Sequence, residues 1–185
     1  MDPLMLIIIA AGLLLAYAVI VFNELTKERI VVRESQSAVG SFLQQRNDVL
    51  PNMVEVVKGY AGHENKTLTE VTMWRNKSAA ASNPQEQSAA NAGLEKALVN
   101  LYSVAEQYPD LKANTNFMRL QDELSQLEEK INNSRRYYNG TVREYNQSIA
   151  VFPKNIVAGL FGFKAETFFA EEAEAQKVPK ISFKE

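Results

Sequence analysis

The chain predicts an all-α fold: a single N-terminal transmembrane helix followed by an antiparallel up-down four-helix bundle, with a short helical, partly extended C-terminal tail. Three observations carry this. Residues 4–22, "LMLIIIAAGLLLAYAVIVF", contain no charge and no strong polar group. From Asn23 onward, apolar residues recur at spacings of three and four, the rhythm of an amphipathic helix. No stretch of useful length alternates with the period of two that a half-buried strand needs, the closing "VPKISF" (178–183) aside.

The elements follow in order. Residues 1–3 are a short extracytoplasmic N-terminus, and 4–22 form the span. Nineteen residues at about 1.5 Å each reach roughly 28 Å, close to the ~30 Å of a bilayer's hydrocarbon core. A buried core helix seldom stays uncharged for so long. The "AYA" at 16–18 mimics a signal-peptide cleavage site, but no Lys or Arg precedes the run and apolar residues continue to Phe22. Lys27, Arg29 and Arg33 follow the span, so the positive-inside rule places the C-terminal domain in the cytoplasm.

Residues 23–152 make the bundle. The first soluble helix continues out of the anchor with Val39, Phe42, Val49, Met53, Val57 and Tyr60 as its stripe, and Arg46 interrupts it. Pro51 is expected to kink this helix or start a new turn, and Gly62 to end it. A second helix, about 65–82, offers Leu68, Val71, Arg75 and Ala79. "SNPQE" then marks a boundary: Asn83 caps, Pro84 fits the first helical position, and Glu86 sits where a capping-box acid belongs. The third helix shows Leu94, Leu98, Leu101, Ala105 and Tyr108 and stops before Pro109. "PDLKANTN" reads as a connection. The fourth helix keeps its rhythm through Phe117, Leu120, Leu124, Leu127, Ile131, Tyr138, Val142, Tyr145, Ile149 and Phe152, with Ser134 the polar member. A rival count merges the second and third helices into one rod kinked at Pro84; the cap at Asn83 favours four. A stripe five heptads long, faced by a short, Ala-rich second helix, leaves apolar surface for a second copy, so homo-oligomerisation is expected.

Catalysis finds little support. Outside the anchor, 20 basic residues face 21 acidic ones once Asp2 is set aside, so no basic surface argues for nucleic acid. With no Cys there is no thiolate nucleophile and no Cys-based zinc site. His63 is the only histidine. His63 and Glu64 point about 100° apart on a helix, so they do not converge on an ion, and His63 is better read as serving a helix end. The carboxylates at 122, 123, 128 and 129, and at 171, 172 and 174, alternate with Lys and Gln as solvated faces do. Gly159 and Gly162 lack the strand and the Lys-Ser or Lys-Thr of a phosphate loop. The reading is of a non-enzyme with no cofactor and no metal.

The tail, 153–185, opens on "FPKNIVAGLFGFKAETFFAEE", which carries five Phe between 152 and 172. Pro153 ends the fourth helix and starts a short one. Ile156, Val157, Leu160 and Phe161 are expected on one face, and Gly162 to end the turn in a left-handed conformation. Phe163, Phe168 and Phe169 add aromatic area. Docking of these seven residues on the bundle or on a neighbouring copy is favoured. Interfacial helices usually carry many Lys or Arg, and here only Lys154 and Lys164 flank the run.

Three blocks, "RNDVLPNMVEVVKGYAGHE" (46–64), "YPDLKANTNFMRLQDEL" (108–124) and "FPKNIVAGLFGF" (152–163), together with the closing "VPKISF", resemble the LemA family from about Asn23 to Phe183. The resemblance implies a bacterial inner-membrane protein with its N-terminus outside, one span, and a cytoplasmic antiparallel helical bundle. It implies no catalytic activity and no cofactor, so it transfers no functional residues. Family members often carry a strongly charged approach to the first block; this chain has "ESQSAVGSFLQQRND" instead. The function expected is therefore a membrane-anchored helical scaffold or adaptor, in contact with the lipid bilayer through residues 4–22 and with another membrane-associated protein. The alternative is a membrane-shaping or membrane-sensing protein that uses residues 152–169 as an interfacial element.

Overall fold

The structure is a computed structural model that describes residues 2–62 and 64–169. Among the described residues it holds six helices and no strand: α1 (Pro3–Tyr60), α2 (Asn65–Ala80), α3 (Pro84–Ala105), α4 (Pro109–Lys112), α5 (Thr115–Ala150) and α6 (Lys154–Leu160). The readings of His63, of Glu171, Glu172 and Glu174, and of "VPKISF" lie outside the described residues. Two compact units divide the chain. One comprises Met1–Gly40 and Asn133–Thr167; the other comprises Ser41–Asn132 and Phe168–Glu185.

In the second unit, a single core joins α1, α2, α3, α4 and α5. Met53 and Val57 of α1, Val71 of α2, Leu94 and Leu101 of α3, Leu111 of α4, and Phe117 and Leu124 of α5 are buried together. Three expectations need correction. First, α1 runs unbroken through Pro51 instead of restarting there. Proline lacks the N–H that would reach the Asn47 carbonyl. The Arg75 Nε of α2 donates to that carbonyl at 3.1 Å, so the acceptor keeps a partner. Second, the buried stripe of α1 is centred on Val39, Leu43, Arg46, Leu50, Met53 and Val57, while Tyr60 is exposed. The helix turns these positions inward because they repeat at three and four; Tyr60 continues the rhythm but is the last residue of α1, and its hydroxyl accepts from Asn114 Nδ2 at 3.0 Å. Third, in α2 the buried position is Ser78, not Ala79. Its hydroxyl accepts from Asn47 Nδ2 at 3.3 Å, which gives a polar residue the better use of that site.

The boundary at residue 83 forms as its residues dictate. Asn83 Oδ1 accepts from the Glu86 N–H at 2.9 Å, and Pro84 opens α3. Glu86 reaches back to the Ser82 N–H and hydroxyl, which holds its carboxyl below the ordinary value of 4.5. A depressed carboxylate supplies stability that is present above its unfolded value and is lost as pH falls through the folded one. A rod merely kinked at Pro84 would hold Trp74 and Gly93 about 28 Å apart. They are instead in direct contact, and α2 packs face to face on α3. The "PDLKANTN" connection contains the one-turn α4, which buries Leu111, and Asn114 Oδ1 then caps α5 by accepting from the Phe117 N–H at 3.0 Å.

In the first unit, α1 and α5 meet through small polar contacts set among apolar ones. The hydroxyls of Ser35 and Thr141 share a buried hydrogen bond of 3.0 Å, and Ser148 donates to Glu28 at 3.0 Å. Leu25, Val32, Tyr138, Val142 and Tyr145 are buried around them. α1 is the one helix among the described residues that is long and apolar enough to cross a membrane, and its first five turns are almost wholly uncovered by the chain.

Candidate functional site

The segment after α5 is built from residues outward. The Phe152–Pro153 peptide is cis, and α6 begins at Lys154. Gly162 takes φ +72°, so the Phe163 N–H turns back to the Ala158 carbonyl at 2.9 Å and closes the helix. Beyond it the chain has no regular secondary structure and is strapped to α5. Asn146 pairs with Glu166 in both directions, donating from Nδ2 to its carbonyl at 2.9 Å and accepting its N–H at 2.8 Å. The Tyr138 hydroxyl donates to the Thr167 carbonyl at 2.8 Å. Burial, with the Glu166 charge nearby, pushes the Tyr138 phenol above its ordinary value and keeps it a donor.

This geometry splits the seven residues singled out from sequence. Val157 and Phe163 are buried, and Phe163 lies 4.9 Å beneath the Arg29 guanidinium. Phe161 and Phe163 pack on Phe22 with ring centroids 4.9 and 5.6 Å away. Ile156 and Leu160 turn outward, at 61% and 76% exposure, and Phe161 keeps 52% open. The expected single face of four is therefore two faces, because Val157 and Ala158 point inward between Ile156 and Leu160. Phe152, four residues before Ile156 and 74% exposed, joins the outward set. It was expected in the fourth helix, but α5 ends at Ala150 and Phe152 lies between the two helices. Phe169 is buried and Phe168 exposed, both in the other unit.

A second constellation lies in that other unit. Arg46 is fully buried, and its Nη1 donates to Asn91 Oδ1 of α3 and to Glu128 Oε2 of α5, the latter at 2.9 Å. Asn91 in turn donates to Glu95. Among the described residues, Arg46 Nε and Nη2 have no hydrogen-bond partner, nor do Glu128 Oε1 and Gln87 Oε1. One charge thus ties three helices together. The sequence showed Arg46 only as a gap in a stripe, although a charge on the apolar phase was itself the sign of a buried pair.

Among the described residues, no group of three or more His, Cys, Asp and Glu gathers as metal ligands would. A surface depression of about 630 Å³, lined by Thr69, Thr72, Met73, Asn76, Lys77 and Ala80, is the flank of α2 alone, not a cleft between elements.

Fold and site together define a class: an all-helical protein with one membrane-capable N-terminal helix and an apolar turn packed where that helix's uncharged run ends. The LemA family matches residues 35–183, and the chain belongs to it. It is similar to Protein LemA of Metamycoplasma hominis, 29% identical over 140 residues that cover 74% of this chain and 63% of the relative. It is also similar to Magnetosome protein MamQ 2 of Paramagnetospirillum magneticum, 32% identical over 83 residues that cover 45% of this chain and 30% of the relative. Magnetosome protein MamQ of Magnetospirillum gryphiswaldense is 29% identical over 83 residues, again 30% of its length. The chain thus spans less than two thirds of these relatives.

Proposed function

We propose that the protein is a membrane-anchored helical scaffold or adaptor with no catalysis of its own. In this reading residues 4–22 cross the inner membrane of a bacterium, with the N-terminus outside and the rest cytoplasmic. The soluble part of α1 then forms an antiparallel up-down four-helix bundle with α2, α3 and α5. The observation that carries the proposal is α1 itself. One unbroken helix supplies both the uncovered apolar run and the core positions Met53 and Val57, so whatever the helical domain holds is tied directly to the bilayer. Lys27, Arg29 and Arg33 support the orientation. Self-association belongs to the proposal, but it must use other surfaces than the α5 stripe, which is buried from Phe117 to Tyr145.

In-cell crosslinking followed by mass spectrometry tests this reading, beside a periplasm-only reporter fused after Glu185. We expect crosslinks from exposed positions of α2 and α5 to another membrane-associated protein, and no reporter signal. A reporter signal, or a purified protein that turns over a substrate and stops on a single polar substitution, overturns it.

A further inference from the structure

We infer that Phe152 and α6 form an interfacial foot, whose outward face of Phe152, Ile156, Leu160 and Phe161 rests in the headgroup–acyl boundary of the bilayer that α1 crosses. The inference rests on the proposed span at residues 4–22. Its first support is position. Phe22 closes the uncharged run, and Phe161 and Phe163 pack on its ring at 4.9 and 5.6 Å. Lys154, at the opposite end of α6, donates to Glu24 at 2.6 Å. A helix of seven residues is only about 10 Å long. With both ends tied to residues 22–24, it stays at the level where the apolar run ends.

The second support is the face. Ile156 and Leu160 lie four residues apart on one side of α6, while Val157 and Ala158 fill the other, and Phe152 is 74% exposed just before the helix begins. The outward residues are as uncovered as the residues of the anchor, and the Phe22–Phe161 contact makes the two surfaces continuous. An apolar face at this depth meets lipid without any further partner. Charge agrees: Glu24, beside Phe22, is paired with Lys154, and Lys164 is exposed, which suits anionic headgroups. The third support excludes a stable copy-to-copy interface. Such interfaces need roughly 800 Å² and about 20–30 residues per partner. Four side chains on two helical turns fall far short.

The chain has no cysteine, so a single introduced one reports without background. The full-length protein is reconstituted in phosphatidylcholine–phosphatidylglycerol vesicles. Nitroxides are attached to Phe152→Cys, Ile156→Cys, Leu160→Cys, Asn155→Cys and Ile9→Cys, and collisions with oxygen are compared with collisions with an aqueous nickel chelate. We expect oxygen to dominate at 152, 156 and 160, as at residue 9, and nickel to dominate at the exposed Asn155. Nickel dominance at 156 and 160, with residue 9 still lipid-like, overturns the foot and leaves the anchor standing. Shielding of 156 and 160 from both reagents overturns it in favour of a protein cover. Nickel access at residue 9 removes the span itself, and the inference with it.

Discussion

Gly93 and Arg46 are single positions whose meaning comes from what reaches them. In the middle of α3 a glycine costs about 1 kcal/mol relative to alanine. At Gly140 of α5, where an added Cβ meets nothing within 4 Å, Gly→Ala should recover much of that. At Gly93 the same Cβ would collide with the Trp74 indole, a rigid ring that cannot swing aside cheaply. Overpacking of this kind costs about 1–3 kcal/mol, more than the propensity gained. We therefore expect Gly93→Ala to lower the denaturation midpoint and Gly140→Ala to raise it. Pairing Gly93→Ala with Trp74→Leu should restore what was lost. A Gly93→Ala protein as stable as Gly140→Ala would show that the indole does not press on α3. Arg46 follows the same logic with the opposite chemistry: its charge is tolerable in the core only because Asn91 and Glu128 meet it there.

At the scale of elements, the continuity of α1 depends on another helix. Pro51 leaves the Asn47 carbonyl without its helical donor, and Arg75 of α2 supplies one. Asn47 also donates to Ser78, so the place where α1 lacks a bond is where α2 attaches. If Arg75 replaces the missing N–H, the two positions must be coupled. Arg75→Ala should cost about 1 kcal/mol with Pro51 present and appreciably less in Pro51→Ala, where residue 51 can again donate to Asn47. A double-mutant cycle by denaturant unfolding reads this directly. Additive losses would mean that Arg75 contributes only packing. The tail obeys a comparable rule: at residues 166 and 167 the side chains of Asn146 and Tyr138 take over backbone bonds that no helix or sheet supplies there.

Across the whole molecule, apolar surface is handled in two ways. Among the described residues, Val21 alone is buried before Leu25, and from Leu25 onward the core positions recur through to Phe169. The uncharged run therefore contributes almost nothing to the interior, and a protein beginning at Glu24 should be soluble, predominantly helical and cooperatively unfolding. Its loss should be local: buried Val21 is worth about 1.5–3 kcal/mol, and Phe22, 36% exposed, is worth less and is felt at Phe161 and Phe163. Circular dichroism with a thermal melt checks this. An aggregated or non-cooperative product would mean that residues 4–22 belong to the fold.

The sequence by itself determined the helical class, the membrane-capable run, the cap at Asn83 and the left-handed close at Gly162. Each of these is a local signal, set by period or by interactions within a few residues. The tertiary structure alone decided that Arg46 is buried, that Ser78 displaces Ala79, that Pro51 is bridged, and that Ile156 and Val157 part company. Those outcomes depend on partners brought from far along the chain: Arg46 meets Glu128 across 82 positions and Lys154 meets Glu24 across 130. A helical period shows which side chains share a side; only the packed chain shows which sides are covered, and the uncovered ones are left for lipid or for another protein.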